Sequence, residues 1–418
     1  MIRAVKGTRD LLPPSTAVWN HVEQVARQVF RAYNYQEIRT PVFEETLLFA
    51  RGVGEETDIV TKEMYTFEDR DGASLTLRPE ATASVIRAYM EHHLDQRPGL
   101  QKLYYMGPMF RRERPQKGRF RQFYQIGAEA IGSESPALDA EVIEMVVEFL
   151  GRLGLEGFGL LLNSVGCPKC RREYVGELRE KLGEVLESLC ADCRRRAETN
   201  PLRVLDCKVP DDQPIIGKLP SILERLCAEC GAHFQAVQQH LTDREIAYQV
   251  RPRLVRGLDY YMRTTFEIVH GALGAQNSVL GGGRYDGLAE ALGSKVHSPG
   301  IGFSIGEDRL IMSVEETRPG AYQEVLDLFV APLGEAAMRN CALLARDLRR
   351  LGVSVEVAEE GRLKRTMELA NKLGARYALI VGEDELASGR YALKNMQTGE
   401  QESVTREELV EKLYAGRR

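Results

Sequence analysis

The chain has 418 residues, of which 43% are hydrophobic and 28% are charged, and its formal net charge is −5. This composition excludes an intrinsically disordered chain and predicts a globular protein of more than one domain. No apolar run approaches the roughly 18 residues of a membrane span, and residues 1–14 lack the apolar core of a secretory signal. We therefore expect a cytoplasmic protein without a membrane partner.

The first predicted elements are a helix and a strand. Apolar residues recur at helical spacing over residues 16–34, and the segment 37–44 that follows is typical of a strand. This unit is expected to pack on a core or to form part of a dimer. Residues 75–77 then predict a strand and residues 81–90 a helix, with Glu80 at the N-terminus of that helix.

Residues 103–131 are the most informative stretch, because two apolar runs flank a basic turn. The turn contains one acid, Glu113, and six cations: Arg111, Arg112, Arg114, Lys117, Arg119 and Arg121. This excess of positive charge would attract a polyphosphate or an RNA backbone. A solvated surface hairpin is the alternative, and composition alone favours it.

The outgoing run of this hairpin predicts a strand with one distinctive face. Alternation places five residues on that face: Arg121, Phe123, Gln125, Gly127 and Glu129. Gly127 is expected to leave open space between two polar side chains. We interpret this face as the wall of a pocket.

Seven of the eight cysteines fall within residues 167–230, and only Cys341 lies outside. Three pairs have the spacing C-x-x-C: Cys167 and Cys170, Cys190 and Cys193, and Cys227 and Cys230. The separation of the first two pairs is typical of a tetrahedral zinc site, whereas a cytoplasmic chain is not expected to carry structural disulfides. Small buried thiols on helices and a redox-sensitive pair are the alternatives. We interpret residues 167–248 as an inserted domain.

Two further segments combine small or aromatic residues with charges. Residues 254–269 predict an aromatic strand in which Arg256 and two adjacent tyrosines would form a ligand wall, although an ordinary edge strand is the alternative. Residues 280–288 contain four glycines, which would let the backbone approach a ligand. This segment lacks the lysine of a P-loop, and taken alone it would be a turn.

Residues 299–310 predict a strand followed by a helix. Ile301, Phe303 and Ile305 alternate with smaller residues, and the helix is expected to begin at Glu307. A floor of small residues that leads to Arg309 would let an adenine ring or a phosphate lie on the strand. A glycine-rich core strand is the alternative.

The last part of the chain predicts a small α/β domain after a charged linker at residues 315–320. Strands are expected at 326–330, 353–357 and 377–381, and helices at 341–351, at 363–373 and after the capping box Thr405-x-x-Glu408. No catalytic pattern occurs in this part.

Five segments together resemble those of histidyl-tRNA synthetases, which are class II aminoacyl-tRNA synthetases, in their bacterial form. They are KGTRDLLP at 6–13, FRRERPQKGRFRQF at 110–123, LVRGLDYY at 254–261, GGGRYDGL at 281–288 and GIGFSIGEDRL at 300–310. The resemblance implies an α+β fold, with an antiparallel sheet flanked by helices as the catalytic core and a homodimer interface near the first helix and strand. The implied domains are a core at 1–166 and 249–320, an insertion at 167–248 and an anticodon-binding α/β domain at 321–418.

The implied activity is the attachment of L-histidine to its tRNA in two steps, through a histidyl-adenylate made from ATP with Mg²⁺. For ATP, the resemblance assigns Arg111 and Arg256 to the α-phosphate, Glu113 and Phe120 to adenine, and Arg309 to the γ-phosphate. For histidine, it assigns Glu80 and Thr82 to the α-amino group, Gln125 to the carboxylate, Glu129 and Tyr261 to the imidazole, and Tyr260 and Tyr285 to the same pocket. The loop 114–119 would contact the tRNA acceptor stem. A structural zinc ion in the insertion is not part of this chemistry and rests on the cysteine spacing alone.

One position departs from the family pattern, since Glu307 stands where an apolar residue is usual, and we expect it to add an acid near ATP. The main alternative function is that of a noncatalytic synthetase-like regulatory subunit of histidine biosynthesis. Such subunits lack the anticodon domain and do not retain the LVRGLDYY segment. This chain, in contrast, has about 90 residues after the linker, which is near the typical size of a domain, and it keeps Arg256 and Tyr261. A general RNA-binding module would not explain a pocket shaped for imidazole.

Overall fold

The computed structural model describes residues 2–116, 118–271, 278–322, 325–359 and 361–415. The chain divides into two compact units, Met1–Tyr322 and Gln323–Arg418. Within the described ranges, no helix is long and apolar enough to cross a membrane.

Eleven strands are described in the first unit. They are β1 (Gln36–Glu37), β2 (Phe43–Glu45), β3 (Tyr65–Glu68), β4 (Ser74–Leu77), β5 (Gln101–Phe110), β6 (Gln122–Ile131), β7 (Phe158–Ser164), β8 (Gln249–Val250), β9 (Met262–His270), β10 (Ser278–Arg284) and β11 (Gly300–Gly306). Eight of them form one sheet in the order β1-β5-β6-β11-β10-β9-β7-β8, and the others form a small sheet in the order β2-β4-β3. The predicted antiparallel sheet is confirmed for the five central pairings, whereas the outer pairs β1–β5 and β7–β8 are parallel.

Helices cover this sheet and build the insertion. They are α1 (Ser15–Ala32), α2 (Thr46–Val53), α3 (Thr82–Glu91), α4 (Pro136–Arg152), α5 (Pro168–Val185), α6 (Ala191–Thr199), α7 (Gln213–Ile216), α8 (Ala228–Asp243), α9 (Leu288–Ala291) and α10 (Glu307–Thr317). The predicted inward face of α1 is confirmed, because Val22, Ala26, Val29 and Phe30 are fully buried in the main core. Each such aliphatic or aromatic side chain stabilises the fold by about 1.5–3 kcal/mol. Since this face is buried, it is not available to a second subunit.

Two segments differ from their predicted structure. Residues 254–261 are not a strand, and β9 begins only at Met262. Main-chain carbonyls in this segment accept hydrogen bonds from side chains, as Asp259 does from Arg171 (3.3 Å), instead of pairing with a neighbouring strand. The glycine-rich segment belongs to strand β10 as far as Arg284, and only Asp286 and Gly287 form the predicted turn. Gly282 is needed within the strand, because a Cβ atom there would collide with Phe266 and with the backbone of Gly302. The linker predicted from residue 315 starts later, since α10 continues to Thr317.

The second unit is a five-stranded sheet with helices. Its elements are β12 (Leu328–Pro332), α11 (Glu335–Arg350), β13 (Val355–Val357), α12 (Leu363–Lys372), β14 (Tyr377–Val381), α13 (Glu383–Ser388), β15 (Tyr391–Asn395), β16 (Gln401–Val404) and α14 (Arg406–Ala415). The predicted capping box is confirmed, because the Thr405 amide donates to Glu408 (2.7 Å) and the Glu408 amide donates to the Thr405 hydroxyl (3.3 Å). The prediction missed α13 and the β15–β16 hairpin.

Candidate active site

A cavity of about 320 Å³ lies between β6, β10, β11, the N-terminus of α3 and residues 256–261. All the residues predicted to bind ATP or histidine line this one cavity: Glu80, Thr82, Arg111, Glu113, Phe120, Gln125, Glu129, Arg256, Tyr260, Tyr261, Tyr285 and Arg309. The roles assigned to them remain predictions. Lys117, one of the six cations of the predicted turn, lies outside the described residues.

Glu80 lies in the cavity wall at the start of α3, as predicted. Its carboxylate accepts hydrogen bonds from the amides of Thr82 (2.8 Å) and Ala83 (3.0 Å). Burial raises the pKa of Glu80, and these two amide donors oppose the shift. The carboxylate thus accepts from backbone amides that a helix N-terminus otherwise leaves without a partner. The carboxylate is therefore held in one position at the cavity wall.

Glu129 is the most strongly enclosed acid of the cavity. The hydroxyls of Thr82 and Tyr285 each donate to one of its carboxyl oxygens at 2.7 Å, and only 1% of the residue is exposed. Burial raises the pKa of Glu129 to about 8, although these two donors oppose the shift. Gly302 makes room for this carboxyl group, because a Cβ atom there would collide with it. A carboxyl group with such a pKa can donate to or accept from a ligand near neutral pH.

The face predicted for the outgoing strand is only partly confirmed. Phe123, Gln125 and Glu129 line the cavity, whereas Arg121 precedes β6 and donates to the carbonyl oxygen of Lys6 (3.3 Å). The space expected at Gly127 is not open, because a Cβ atom there would collide with the Tyr105 hydroxyl. Gln125 Oε1 is buried and has no hydrogen-bond partner among the described residues, so the amide can bind a ligand.

Several arginine side chains also line the cavity. Arg111 Nε donates to the Pro79 carbonyl (2.9 Å), and Arg309 Nη1 donates to the Ser278 carbonyl (2.9 Å). Glu113 accepts from Arg119 at 2.9 Å. Burial lowers the pKa of Arg309, and Arg119 adds to this shift. Cations that are already oriented in this way fit an anionic ligand such as a polyphosphate.

Arg256 pairs with Glu267 through Nη1, while its Nε is buried without a hydrogen-bond partner in the described parts of the chain. Gly281 makes room for this guanidinium group, since a Cβ atom there would collide with it. The glycine-rich segment was predicted to let the backbone approach a ligand. The structure shows instead that Gly281 creates space for a neighbouring cationic side chain.

Two side chains around Phe120, those of Arg9 and Asp308, were not among the predicted site residues. The guanidinium of Arg9 lies over the Phe120 ring (4.2 Å to its centroid), and it also bonds to Asp308 (2.7 Å). Asp308 accepts a second bond from the Tyr124 amide (3.0 Å). Arg9 belongs to the segment KGTRDLLP, which was singled out only as part of the family resemblance. One face of Phe120 is thus covered by a cation, which leaves the other face for a ligand.

The expectation that Glu307 adds an acid near ATP is wrong, because Glu307 does not line the cavity. The residue is fully buried, and neither carboxyl oxygen has a hydrogen-bond partner among the described residues. Burial raises its pKa well above the usual value, with Glu23 and Asp308 adding to the shift. Glu307 therefore points from α10 toward α1, where Glu23 and Arg27 lie.

Replacing Glu307 by leucine is expected to raise the free energy of unfolding by about 1–3 kcal/mol at pH 7, since an unpaired buried polar group is removed. The raised pKa means that the wild-type stability falls as pH rises above the ordinary carboxyl value, so the gain should widen between pH 5 and pH 8. Denaturant unfolding can be followed through Trp19, the single tryptophan, which is buried in α1. Exposed Glu316 on the same helix provides the control Glu316→Leu. A gain of the same size in both variants would contradict this explanation.

Seven of the eight cysteines lie in two groups outside the cavity, in a pairing that the sequence spacing did not predict. Cys167 and Cys170 lie with Cys227 and Cys230, whereas Cys190 and Cys193 lie with Cys207 and Asp212. The predicted combination of the first two C-x-x-C pairs in one site is therefore wrong. The spacing rule failed because the chain between the pairs forms a long helix, α5, which separates them.

Comparisons with known proteins show the family to which the chain belongs. A family model described as histidyl-tRNA synthetase matches residues 7–310, and one described as anticodon binding domain matches residues 327–415. A histidine–tRNA ligase of Solibacter usitatus is 74% identical over 415 residues, covering 99% of each chain. Another from Koribacter versatilis is 58% identical over 422 residues, covering 98% of this chain and 95% of the relative. The structure of the apo S. aureus histidyl-tRNA synthetase matches with a TM-score of 0.82 at 38% identity, covering 99% of this chain and 100% of the other. The chain belongs to the histidyl-tRNA synthetase family.

Proposed function

We propose that the chain attaches L-histidine to a histidine-accepting tRNA in two steps, and that both steps take place in the cavity of about 320 Å³. The observation that carries this proposal is that one cavity wall contains both the cations Arg111 and Arg256 and the enclosed carboxyl group of Glu129. The cations suit a polyphosphate, and the carboxyl group suits a small ring with nitrogen atoms. The two substrates would thus meet in the same cavity.

In the first step, a carboxylate oxygen of histidine forms a bond to the α-phosphorus of ATP, and the bond from this phosphorus to the bridging oxygen breaks. Pyrophosphate leaves with the electron pair. ATP enters as its Mg²⁺ complex, in which the ion neutralises phosphate charge. Arg111 and Arg256 would stabilise the negative charge that develops on the α-phosphate, and Arg309 would hold the γ-phosphate. Arg111 is oriented by its bond to Pro79 and Arg256 by its bond to Glu267, so these two side chains need little rearrangement during the reaction.

Adenine is proposed to lie on Phe120, on the face that Arg9 leaves free, with Glu113 accepting from the amino group. Arg119 holds the Glu113 carboxylate in place. A flat ring between strand β11 and an aromatic side chain gains both stacking and burial. The small residue Gly306 of β11 belongs to the cavity wall and leaves space for such a ring.

Histidine would place its α-amino group near Glu80 and Thr82 and its carboxylate near Gln125. Its imidazole would then lie between Glu129 and Tyr261, next to Tyr260 and Tyr285. A carboxyl group on one ring nitrogen and a phenol on the other satisfy both nitrogens of imidazole. An aromatic amino acid without these nitrogens would leave buried polar groups unpaired, which is the strongest basis for rejecting it.

In the second step, the 3′-hydroxyl oxygen of the terminal adenosine of tRNA attacks the carbonyl carbon of the adenylate, and AMP leaves. The loop 114–119 is proposed to contact the acceptor stem, and the second unit, which matches the anticodon-binding family, would bind the anticodon. Since tRNA is aminoacylated where translation takes place, we expect the chain in the cytoplasm.

A homodimer is proposed on the basis of an exposed apolar patch on the small sheet and α2. The patch consists of Val42, Phe43, Leu47 and Phe67. The rings of Phe43 and Phe67 lie edge to face with centroids 6.4 Å apart. Large exposed apolar patches on a globular protein mark interaction surfaces. The patch lies in and after the segment 37–44, near the predicted location of the interface, although helix α1 buries its own apolar face.

The test is histidine-dependent exchange of labelled pyrophosphate into ATP, without tRNA, on protein whose mass by sedimentation equilibrium is twice the 47.0 kDa of one chain. We expect exchange with histidine and none with the other amino acids. Folded, dimeric protein that gave no exchange would favour the regulatory subunit as the function. A chain that stayed monomeric at micromolar concentration would overturn the proposed dimer.

The comparisons do not favour that regulatory alternative. The family model of the catalytic part extends to residue 310, and residues 327–415 match an anticodon-binding domain. Both curated relatives, at 74% and 58% identity over nearly the whole chain, are histidine–tRNA ligases.

A further inference from the structure

The two cysteine groups of the insertion have the geometry of metal sites. In the first group, Cys167 and Cys227 are the residues that immediately precede helices α5 and α8. Cys170 and Cys230 lie one turn into these helices, so each C-x-x-C pair directs both of its sulfur atoms to the helix N-terminus. All four sulfur atoms lie within 4.8 Å of one another. The Cys227 amide donates to Cys170 Sγ at 3.1 Å, as backbone amides do to thiolates.

The second group contains three cysteines and an acid. Cys190 immediately precedes α6, and Cys193 lies one turn into it, while Cys207 and Asp212 come from the irregular segment that follows. Their ligand atoms also lie within 4.8 Å of one another. Asp212 is only 1% exposed, and its carboxylate accepts from the Cys190 amide (3.0 Å). It also contacts Cys207 Sγ (3.2 Å), so its second oxygen points into the group of sulfurs.

The distances between sulfur atoms distinguish a metal site from a disulfide. Cys167 Sγ and Cys170 Sγ are 3.6 Å apart, and Cys190 Sγ and Cys207 Sγ are 3.9 Å apart. A disulfide bond would require about 2.05 Å. Four sulfurs placed tetrahedrally at about 2.3 Å from a zinc ion are separated by about 3.8 Å. The observed separations agree with the second arrangement.

Charge around the first group fits a metal–thiolate site as well. A zinc ion with four thiolates carries two negative charges. The N-termini of α5 and α8 both point at the sulfurs, and their positive dipole ends stabilise an anion. Arg171, in the first turn of α5, adds a full positive charge close to Cys167.

From these observations we propose that the insertion binds two zinc ions, one held by four sulfurs (Cys167, Cys170, Cys227 and Cys230) and one by three sulfurs and a carboxylate (Cys190, Cys193, Cys207 and Asp212). Both sites have four protein ligands and are largely buried, which is typical of structural zinc. Neither site is part of the cavity, so the ions take no part in the two reaction steps.

The two sites brace the same segment of the cavity wall. Helix α5, fixed at its start by the first site, carries Arg171, which donates to the main-chain carbonyls of Asp259 and Tyr261. Helix α6, fixed at its start by the second site, is followed by Asn200, which donates to the Asp259 carboxylate (3.1 Å). Residues 259–261, which include two tyrosines of the histidine pocket, are thus held from two sides. Loss of zinc is expected to weaken histidine binding more than ATP binding.

The test is the zinc content of the full chain, purified under reducing conditions after dialysis against Zn²⁺ and then against metal-free buffer. We expect two zinc ions per wild-type chain, one in Cys230→Ser, one in Cys193→Ser and two in the control Cys341→Ser, which changes the lone cysteine of the second unit. Folded wild-type protein with less than half an ion per chain would overturn the proposal. The wild-type chain could also bind only one zinc ion. If that ion were kept in Cys230→Ser and lost in Cys193→Ser, the four-cysteine site would be overturned, and the reverse result would overturn the site with Asp212.

A second measurement covers the case in which a cysteine variant does not fold. Titration of metal-free wild-type chain with Co²⁺ should produce the visible absorption of tetrahedral thiolate sites and should saturate at two equivalents. Asp212→Asn keeps the shape of the side chain. It should lower the Co²⁺ affinity of the site that contains residue 212 and leave the affinity of the four-cysteine site unchanged. Absence of the thiolate bands would contradict both sites. Because zinc content is measured without substrate, its result is independent of whether the exchange assay supports the proposed enzyme.

Discussion

Replacing Arg256 by histidine is expected to slow histidine-dependent pyrophosphate exchange by about 10²- to 10³-fold, as does the loss of one preorganised group that stabilises a transition state. The substitution removes a permanently charged guanidinium and shortens the side chain that Glu267 orients. ATP would still be held by Arg111, Arg309 and the Phe120 ring, so its dissociation constant should change by less than about fivefold. The measurement is the exchange rate at saturating substrates together with ATP binding by calorimetry.

A matched control is Arg251→His, since Arg251 lies five residues earlier, is exposed and does not line the cavity. It should exchange pyrophosphate at the wild-type rate. If Arg256→His lost ATP affinity and exchange rate in proportion, Arg256 would be a ground-state binding residue rather than one that acts on the α-phosphate. An unchanged exchange rate would remove it from the reaction altogether.

The sequence could predict strands β6 and β11 of the catalytic sheet because their residues alternate, whereas β10 was expected to be a turn. The alternation of Ile301, Phe303 and Ile305 leaves only one possible inward face for β11, and all three residues are buried. Helix α10 begins at Glu307, as expected. The same rule did not apply to residues 254–261. Their carbonyl groups bind the side chain of Arg171, which is some 90 positions away in the chain and has no local signature.

Contacts between distant segments explain the other differences. The spacing of the cysteines could not show that Cys167 and Cys170 lie with Cys227 and Cys230, because the fold of the intervening chain decides the pairing. Likewise, the identity of Glu307 gave no indication that it faces α1 rather than the cavity, since a residue at a strand–helix junction can turn to either side. The sequence indicated that a glycine is needed at position 281 but not why it is needed, because the guanidinium group that it accommodates belongs to Arg256 in another segment.

Replacing Glu129 by glutamine is expected to weaken histidine binding by about 10- to 100-fold and to leave ATP binding unchanged, because a hydrogen bond to a group that can be charged contributes about 1.5–3 kcal/mol. The amide has nearly the same shape, so the hydroxyls of Thr82 and Tyr285 keep a partner. Michaelis constants for histidine and ATP in the exchange reaction provide the measurement. The same experiment with phenylalanine in place of histidine should show that the variant prefers histidine less strongly than the wild type does.

The free energy of unfolding of Glu129→Gln should rise while its affinity for histidine falls. This difference distinguishes a role of Glu129 in binding from a role in holding the fold together. Burial raises the pKa of Glu129 from 4.5 to about 8, so its contribution to stability is present below the ordinary value and is lost as pH rises toward 8. The glutamine variant has no proton to lose, and its free energy of unfolding should gain on the wild type by up to roughly 1 kcal/mol per pH unit between pH 5 and pH 8. A variant that lost both stability and histidine affinity at pH 8 would show that Glu129 holds the cavity together. One that gained stability while losing histidine would show that this buried carboxyl group is kept for recognition, at a cost to the fold.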